Sequence, residues 1–101
     1  MDKGSIVTLN LANPSEKYWG RLEELGTTGV TVRGLNLASF EDWVRDLVYE
    51  DGSALGLTTV FFPMHRIERM ALDEPVGQLE SMSQSFERRV GKSVLEFLDS
   101  P

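Results

Sequence analysis

The stretch that decides the fold is Tyr18–Leu37, which reads YWGRLEELGTTGVTVRGLNL. On both sides of its centre, apolar residues or glycines recur at every second position, and this alternation is typical of half-buried β-strands. The Gly26–Gly29 segment between them supplies turn residues, because glycine reaches positive φ without a Cβ clash. The stretch therefore predicts a long β-hairpin.

A change in the hydrophobic pattern at Gly34 indicates that the second strand of this hairpin is bent. Val30 and Val32 share one face, whereas Leu35 and Leu37 follow one position out of phase. A one-residue slip is what a β-bulge produces, and a bulge bends the strand and increases its twist. Because a small barrel needs such a corner to close, the hairpin is interpreted as the spine of a strongly bent β-barrel. Two ordinary hairpin strands with an incidental glycine are the alternative.

Length and composition favour one small acidic domain. The chain has 101 residues, and a chain of this size buries about 65 % of its unfolded surface. It has no cysteine, which excludes disulfides and thiolate metal sites. The sequence has no signal-like apolar run at its start and no stretch long enough to span a membrane, so a cytoplasmic location is expected. The formal net charge of −6 argues against sequence-independent nucleic-acid binding but allows a local basic patch.

Three shorter segments also have the pattern of β-strands, namely Ser5–Leu11, Thr58–Phe62 and Arg66–Leu72. Pro63 ends the second of them, since proline has no N–H to donate to a sheet. A very short turn at Met64 and His65 then leads into the last strand. With the hairpin, these segments make five predicted strands.

The last two strands have apolar side chains on both faces, and at least one of them is expected to lie at a sheet edge. An exposed apolar edge is prone to aggregation unless something covers it. Pairing with the next subunit is one solution, and packing under a helix is another. The residues assigned to an oligomer interface are Val60, Phe61, Phe62, Ile67 and Met70.

One segment inserted between the strands has the 3.6-residue period of an amphipathic helix. It spans residues 39–48, with Ser39 as the expected N-cap. Its apolar stripe consists of Phe40, Trp43, Val44, Leu47 and Val48. Its aromatic residues are expected to plug the barrel or a partner surface rather than to bind a cofactor. An exposed Trp19 could stack on a base, but it is expected to pack against this stripe.

The C-terminal quarter of the chain is also predicted to be helical. The Asp73–Pro75 segment marks the boundary, so residues 1–75 form the expected barrel and residues 76–101 a C-terminal helical extension. Gly91 interrupts the helical pattern, and a glycine inside a helix costs roughly 1 kcal/mol relative to alanine. A kink or break is therefore expected at Gly91.

The strand order and two short motifs resemble the Sm-like family, which includes the eukaryotic Sm proteins and the bacterial RNA chaperone Hfq. The Gly20-x-Leu22 pair is similar to the glycine-x-leucine of the first Sm motif. Ile67, after its short turn, looks like the isoleucine of the second motif. The resemblance implies a mainly β, five-stranded, strongly bent SH3-like barrel that assembles into a homo-oligomeric ring. It also implies that the turns of the two motifs hold RNA at the pore.

Several motif positions differ from the family pattern. Gly26 and Val30 occupy the places of the aspartate and the base-binding asparagine of the first motif. Pro63 and Met64 replace the arginine-glycine pair of the second Sm motif, whereas His65 coincides with the histidine of Hfq. The resemblance therefore transfers the fold more directly than it transfers RNA binding.

The candidate contacts for single-stranded RNA are His65, Arg66 and Arg33. In a ring the short turns would converge, and His65 with Arg66 would form a positive collar for phosphates or bases. The competing interpretation is that Arg66 pairs with Glu68 or with a carboxylate of a neighbour, while His65 satisfies the backbone of the turn.

No catalytic constellation is visible in the sequence. His65 is the only histidine, so a histidine-based metal site would need carboxylates alone as its other ligands. No glycine run matches a phosphate-binding loop. The sequence therefore predicts a non-enzymatic protein without metal or cofactor. It is either a homo-oligomer that binds single-stranded RNA, or an oligomeric scaffold or protein-interaction module without RNA.

Overall fold

The computed structural model describes residues 1–49 and 56–100, and within these ranges the chain is mainly β, with one five-stranded sheet and three α-helices. The strands are β1 (Ile6–Leu11), β2 (Glu16–Leu25), β3 (Gly29–Asn36), β4 (Thr58–Pro63) and β5 (Ile67–Leu72). The helices are α1 (Phe40–Tyr49), α2 (Met82–Val90) and α3 (Val94–Leu98). The predicted mainly β class is thus confirmed. No helix in the described ranges has the length and apolarity needed to cross a membrane.

The sheet is antiparallel throughout and has the order β4-β3-β2-β1-β5. The two edge strands, β4 and β5, are consecutive in the chain and are joined by a single 3-10 turn, Met64–Arg66. Buried side chains of β1 to β4 form one inner core, and Ile67 and Met70 of β5 pack against it. Because a three-residue turn joins the two opposite edges, and only strand residues form this core, the sheet is curled around it. The buried members are Val7, Leu9, Leu11, Tyr18, Leu22, Val30, Val32 and Phe62.

The irregularity in the hairpin lies in β2, so the prediction of a bulge at Gly34 is wrong. Gly20 and Gly34 are directly opposite each other, and the register shifts only between Leu22 and Glu24. A Cβ on Gly34 would overlap the carbonyl oxygen of Trp19 and lie 2.5 Å from the Cα of Gly20. The two strands therefore approach most closely where neither has a side chain.

The change of hydrophobic phase after Gly34 has another cause, which is burial of the outer face of the sheet. Trp19 and Leu35 are cross-strand neighbours on that face, where the three helices cover them. The resulting outer core contains the buried residues Trp19, Leu35, Phe40, Trp43, Val44, Phe86, Val94 and Leu98. Consecutive apolar residues such as Tyr18 and Trp19 thus serve two different cores.

Helix α1 packs on the outer face of the sheet, so the expectation that its aromatic residues fill the interior enclosed by the strands is wrong. The ring centroids of Phe40 and Trp43 lie 5.4 Å and 6.1 Å from that of Trp19. Phe86 of α2 stacks on Trp43 at 4.8 Å with an interplanar angle of 23°. The predicted packing of Trp19 against the helix stripe is confirmed, and α2 completes the cluster.

The entry to α1 is a short 3-10 turn, Leu37–Ser39. The capping side chain is Asn36, whose Oδ1 accepts a hydrogen bond from the backbone N–H of Ala38 at 2.9 Å. Ser39, the expected N-cap, lies within the 3-10 turn itself.

The C-terminal segment forms two helices that are separated at Gly91, as the sequence predicted. Gly91 has φ +81° and donates its N–H to the carbonyl oxygen of Glu87 at 2.9 Å, which is a left-handed helix end. Helix α2 begins with a capping box between Ser81 and Gln84 that the sequence analysis did not identify. Ser93 caps α3 through the backbone N–H of its second residue.

Candidate functional site

The two edges of the sheet are the first candidate interaction surface. Within the described part of the chain, β4 pairs only with β3 and β5 pairs only with β1. Each edge strand therefore has a row of backbone N–H and C=O groups without a sheet partner. Phe61 on β4 is 52 % exposed, and Leu72 on β5 is 43 % exposed. These edges have the chemistry for main-chain pairing with another strand.

The five residues assigned to an oligomer interface fall on both faces of the edge strands. Four of them belong to the inner core or pack against it, namely Val60, Phe62, Ile67 and Met70. Phe61 lies on the outer face, where its ring covers Gly29, and a Cβ added to that glycine would lie 2.6 Å from Phe61 Cζ. Of these five residues, Phe61 is the one whose large apolar side chain is exposed.

The Met64–Arg66 turn brings His65 and Arg66 together at one end of the sheet. His65 is exposed and makes no hydrogen bond or ion pair with the described residues. Arg66 instead turns inward, where its Nη2 pairs with Glu16 Oε1 at 2.7 Å and its Nη1 donates to the Asn13 carbonyl oxygen at 3.4 Å. Its Nε is buried and has no acceptor in the described part of the chain. Arg66 thus ties this turn to the loop between β1 and β2.

Arg33 lies apart from that turn. It is opposite Thr59 near the start of β4, whereas the turn follows the end of β4. Its Nε donates to the carbonyl oxygen of Leu98 at 2.7 Å, and its cross-strand neighbour Arg21 pairs with Asp99. Both arginines therefore bind the C-terminal end of α3, where the helix dipole favours positive charge.

A groove of about 360 Å³ on the outer face of β1 and β5 is a second candidate surface. Three polar residues line it side by side, because Asn10 is opposite both Lys17 of β2 and Arg69 of β5. The sequence analysis did not single out these residues. Their alignment depends on the β1–β5 register, which shifts between Asn10 and Leu11, and no sequence pattern reveals that shift.

The shifted pKa values belong to structural contacts. Burial raises the pKa of Tyr18 in the inner core. A hydrogen bond from Arg89 lowers the pKa of Glu41 and links α2 to α1, with an ion-pair distance of 2.9 Å. A hydrogen bond from Arg88 lowers the pKa of Glu80 in the same way. Within residues 1–49 and 56–100, no three histidine, aspartate or glutamate side chains form a group that could hold a metal ion.

Comparisons with known proteins do not assign the chain to a family. No protein-family model matches the chain, and no curated protein or solved structure matches it. The function is therefore inferred from the fold and from the surfaces described above.

Proposed function

We propose that the chain is an Sm-like protein with an SH3-like barrel that assembles into a closed homo-oligomer. The observation that carries this proposal is the strand order β4-β3-β2-β1-β5 in one curled antiparallel sheet. It agrees with the barrel that the Gly20-x-Leu22 pair and the Ile67 segment suggest. The helices are additions to that barrel. The proposed assembly is non-enzymatic and cytoplasmic.

The proposed contact joins β4 of one copy to β5 of the next. Both strands have unpaired backbone groups, and main-chain pairing would satisfy them in neighbouring subunits. Because two different edges meet, the contact is heterologous, and repeating it generates a ring when the rotation closes. Phe61 would be covered in such a contact, which would remove a 52 % exposed aromatic side chain from water.

An oligomeric scaffold or protein-interaction module is the favoured role for this assembly. Two of the three arginine and histidine side chains considered for RNA are engaged within the chain, Arg66 with Glu16 and Arg33 with α3. The formal net charge of −6 also opposes binding to a polyanion. Binding energy would then come mainly from apolar and main-chain contacts at the sheet edges.

Single-stranded RNA binding is a second candidate function, and the Met64–Arg66 turn favours it. His65 is exposed, and its side chain makes no hydrogen bond or ion pair with the described residues. An imidazole can stack on a base or form a hydrogen bond with it. In a ring these turns would be repeated around one opening.

Native mass spectrometry of the full chain, purified from its own cells, tests the assembly. We expect one closed homo-oligomer with a single subunit count. Phe61→Asp is expected to convert it to monomers, whereas Leu95→Asp on α3 should leave it intact. Leu95 is a matched control because it is 49 % exposed and lies outside both edge strands. A wild-type protein that is monomeric at high concentration would overturn the proposal.

Fluorescence anisotropy with short A-rich and U-rich oligonucleotides separates the two roles. If the turn binds RNA, affinity should fall steeply with salt and with His65→Ala, while Lys92→Ala should have little effect. An intact oligomer that binds none of these oligonucleotides at low salt would exclude the RNA role and support the scaffold.

A further inference from the structure

Lys17, Asn10 and Arg69 form a straight row across three adjacent strands, which we call the cationic row. Asn10 pairs with Lys17 on one side and with Arg69 on the other. Adjacent strands lie about 4.8 Å apart, so the backbones of Lys17 and Arg69 are about 10 Å apart. All three residues line the groove on the outer face of the sheet. Two long cationic side chains are thus placed on either side of one amide.

The two cations of this row are unpaired in the described part of the chain. The side chains of Lys17 and Arg69 make no hydrogen bond or ion pair with residues 1–49 or 56–100. Every other arginine binds a carboxylate or a main-chain oxygen, namely Arg21, Arg33, Arg45, Arg66, Arg88 and Arg89. In a chain with sixteen acidic residues, Arg69 is therefore the exception among its arginines.

The carboxylates that line the same groove make no ion pair with Lys17 or Arg69. Asp73 directs both oxygens to the N-terminus of α2 and to Trp19. Glu80 accepts three hydrogen-bond contacts from the guanidinium of Arg88, the shortest at 2.6 Å. Glu74, the third carboxylate, is exposed beyond the end of β5. Asp73 and Glu74 follow the end of β5, whereas Lys17 and Arg69 lie beside Asn10, so the two cations are displaced along the sheet from these two carboxylates.

We propose that this groove binds a small ligand through one oxyanion group, a carboxylate or a phosphate monoester. The oxyanion lies between Lys17 and Arg69, and the side-chain amide of Asn10 donates a hydrogen bond to it. Charge-assisted hydrogen bonds of this kind are about twice as strong as neutral ones. The apolar part of the ligand packs on Leu37 and Met82, which form part of the groove wall. The site is on the outer face and does not depend on the proposed ring or on the Met64–Arg66 turn.

Two-dimensional amide NMR of the full chain, titrated with three probes, tests this inference. The probes are inorganic phosphate, phenyl phosphate and hexanoate. We expect saturable shifts at Asn10, Lys17 and Arg69 with phenyl phosphate or hexanoate, and the one that binds more tightly identifies the oxyanion. Inorganic phosphate should bind more weakly than phenyl phosphate, because it lacks the apolar part. The absence of saturable shifts at these amides with all three probes would overturn the proposal.

A pair of double variants separates specific binding from general charge attraction. Lys17→Gln with Arg69→Gln should weaken binding of the preferred probe about tenfold or more, since two charged donors are lost. Lys3→Gln with Lys92→Gln removes the same charge from exposed lysines outside the groove and should leave the affinity within about twofold. Equal losses in both double variants would overturn the proposal. Phe61→Asp should not change the affinity, so this result stands apart from the test of assembly.

Discussion

The indole Nε1 of Trp19 donates a hydrogen bond to Oδ2 of Asp73 at 3.1 Å, which links the middle of β2 to the end of β5. The same carboxylate accepts the backbone N–H groups of Met82 and Ser83 at 2.8 Å and 2.9 Å. It thus carries negative charge at the N-terminus of α2, where the helix dipole favours it. Asp73, which the sequence analysis placed at a domain boundary, therefore joins Trp19 of β2 to the start of α2 through hydrogen bonds.

Asp73→Ala is expected to lower the free energy of unfolding by about 2–4 kcal/mol, because it leaves a buried indole N–H unpaired and removes a helix cap. Urea denaturation followed by tryptophan fluorescence measures this change. Glu74→Ala is the matched control and should stay within about 0.5 kcal/mol of the wild type, since Glu74 is an exposed neighbour. Equal effects of the two substitutions would contradict the anchoring role.

Gly34→Ala is expected to destabilise the protein by about 2–4 kcal/mol, because its Cβ would overlap the Trp19 carbonyl oxygen and β2 would have to move. Thermal unfolding by circular dichroism checks this expectation. Gly56→Ala is the control, since nothing lies within 4 Å of a Cβ at that position. A Gly34→Ala protein as stable as Gly56→Ala would show that the close approach of β2 and β3 is not required.

The phenol of Tyr18 gives the stability a dependence on high pH. Burial raises its pKa above the ordinary value of 10.0. The folded state therefore holds the proton more tightly than the unfolded chain. The associated stability is complete below pH 10.0 and is lost as the pH rises through the folded-state pKa.

Phenolate absorbance of a Tyr49→Phe variant measures this pKa directly, because Tyr18 is then the only tyrosine. The midpoint is expected above pH 10.0. The Tyr18→Phe variant should lose less stability above pH 10.0 than the wild type, because it has no phenol to ionise at this position. A midpoint at or below pH 10.0 would refute the assignment.

Arg33→Gln is expected to lower the free energy of unfolding by about 1–3 kcal/mol, since the main-chain oxygens of Leu98 and Ser100 lose their charged donor. Chemical denaturation measures the loss. Arg45→Gln removes an arginine of an exposed ion pair with Asp42 and should cost less than about 1 kcal/mol. If Arg33→Gln and Arg45→Gln lowered the free energy of unfolding equally, the contacts of Arg33 with Leu98 and Ser100 would not stabilise the fold.

Local patterns in the sequence were sufficient to predict the strands and the break at Gly91. Alternation and turn residues depend on near neighbours, and so does the stripe that includes Phe40 and Trp43. The phase change at Gly34 was ambiguous, because a bulge and burial of both faces produce the same apolar pattern. The structure resolves it through Leu35, which packs under the helices.

The candidate surfaces were harder to predict, because they depend on contacts between residues far apart in the chain. Arg33 is a cation in the sequence, but its role follows from a partner sixty-five positions later, Leu98. Likewise, Lys17 and Arg69 become neighbours of Asn10 only through the register of three strands. Of the predicted RNA contacts, His65 and Arg66 are adjacent in the fold, as they are in the chain.

The outer core also has a consequence for the order of events during protein synthesis. Its strand residues Trp19 and Leu35 share this core with Phe86, Val94 and Leu98, which are translated after all five strands. Until these residues have left the ribosome, the nascent chain lacks part of the cover of Trp19 and Leu35. Exposed apolar surfaces recruit chaperones or aggregate. We expect the newly made polypeptide to depend on protection until α3 has emerged from the ribosome.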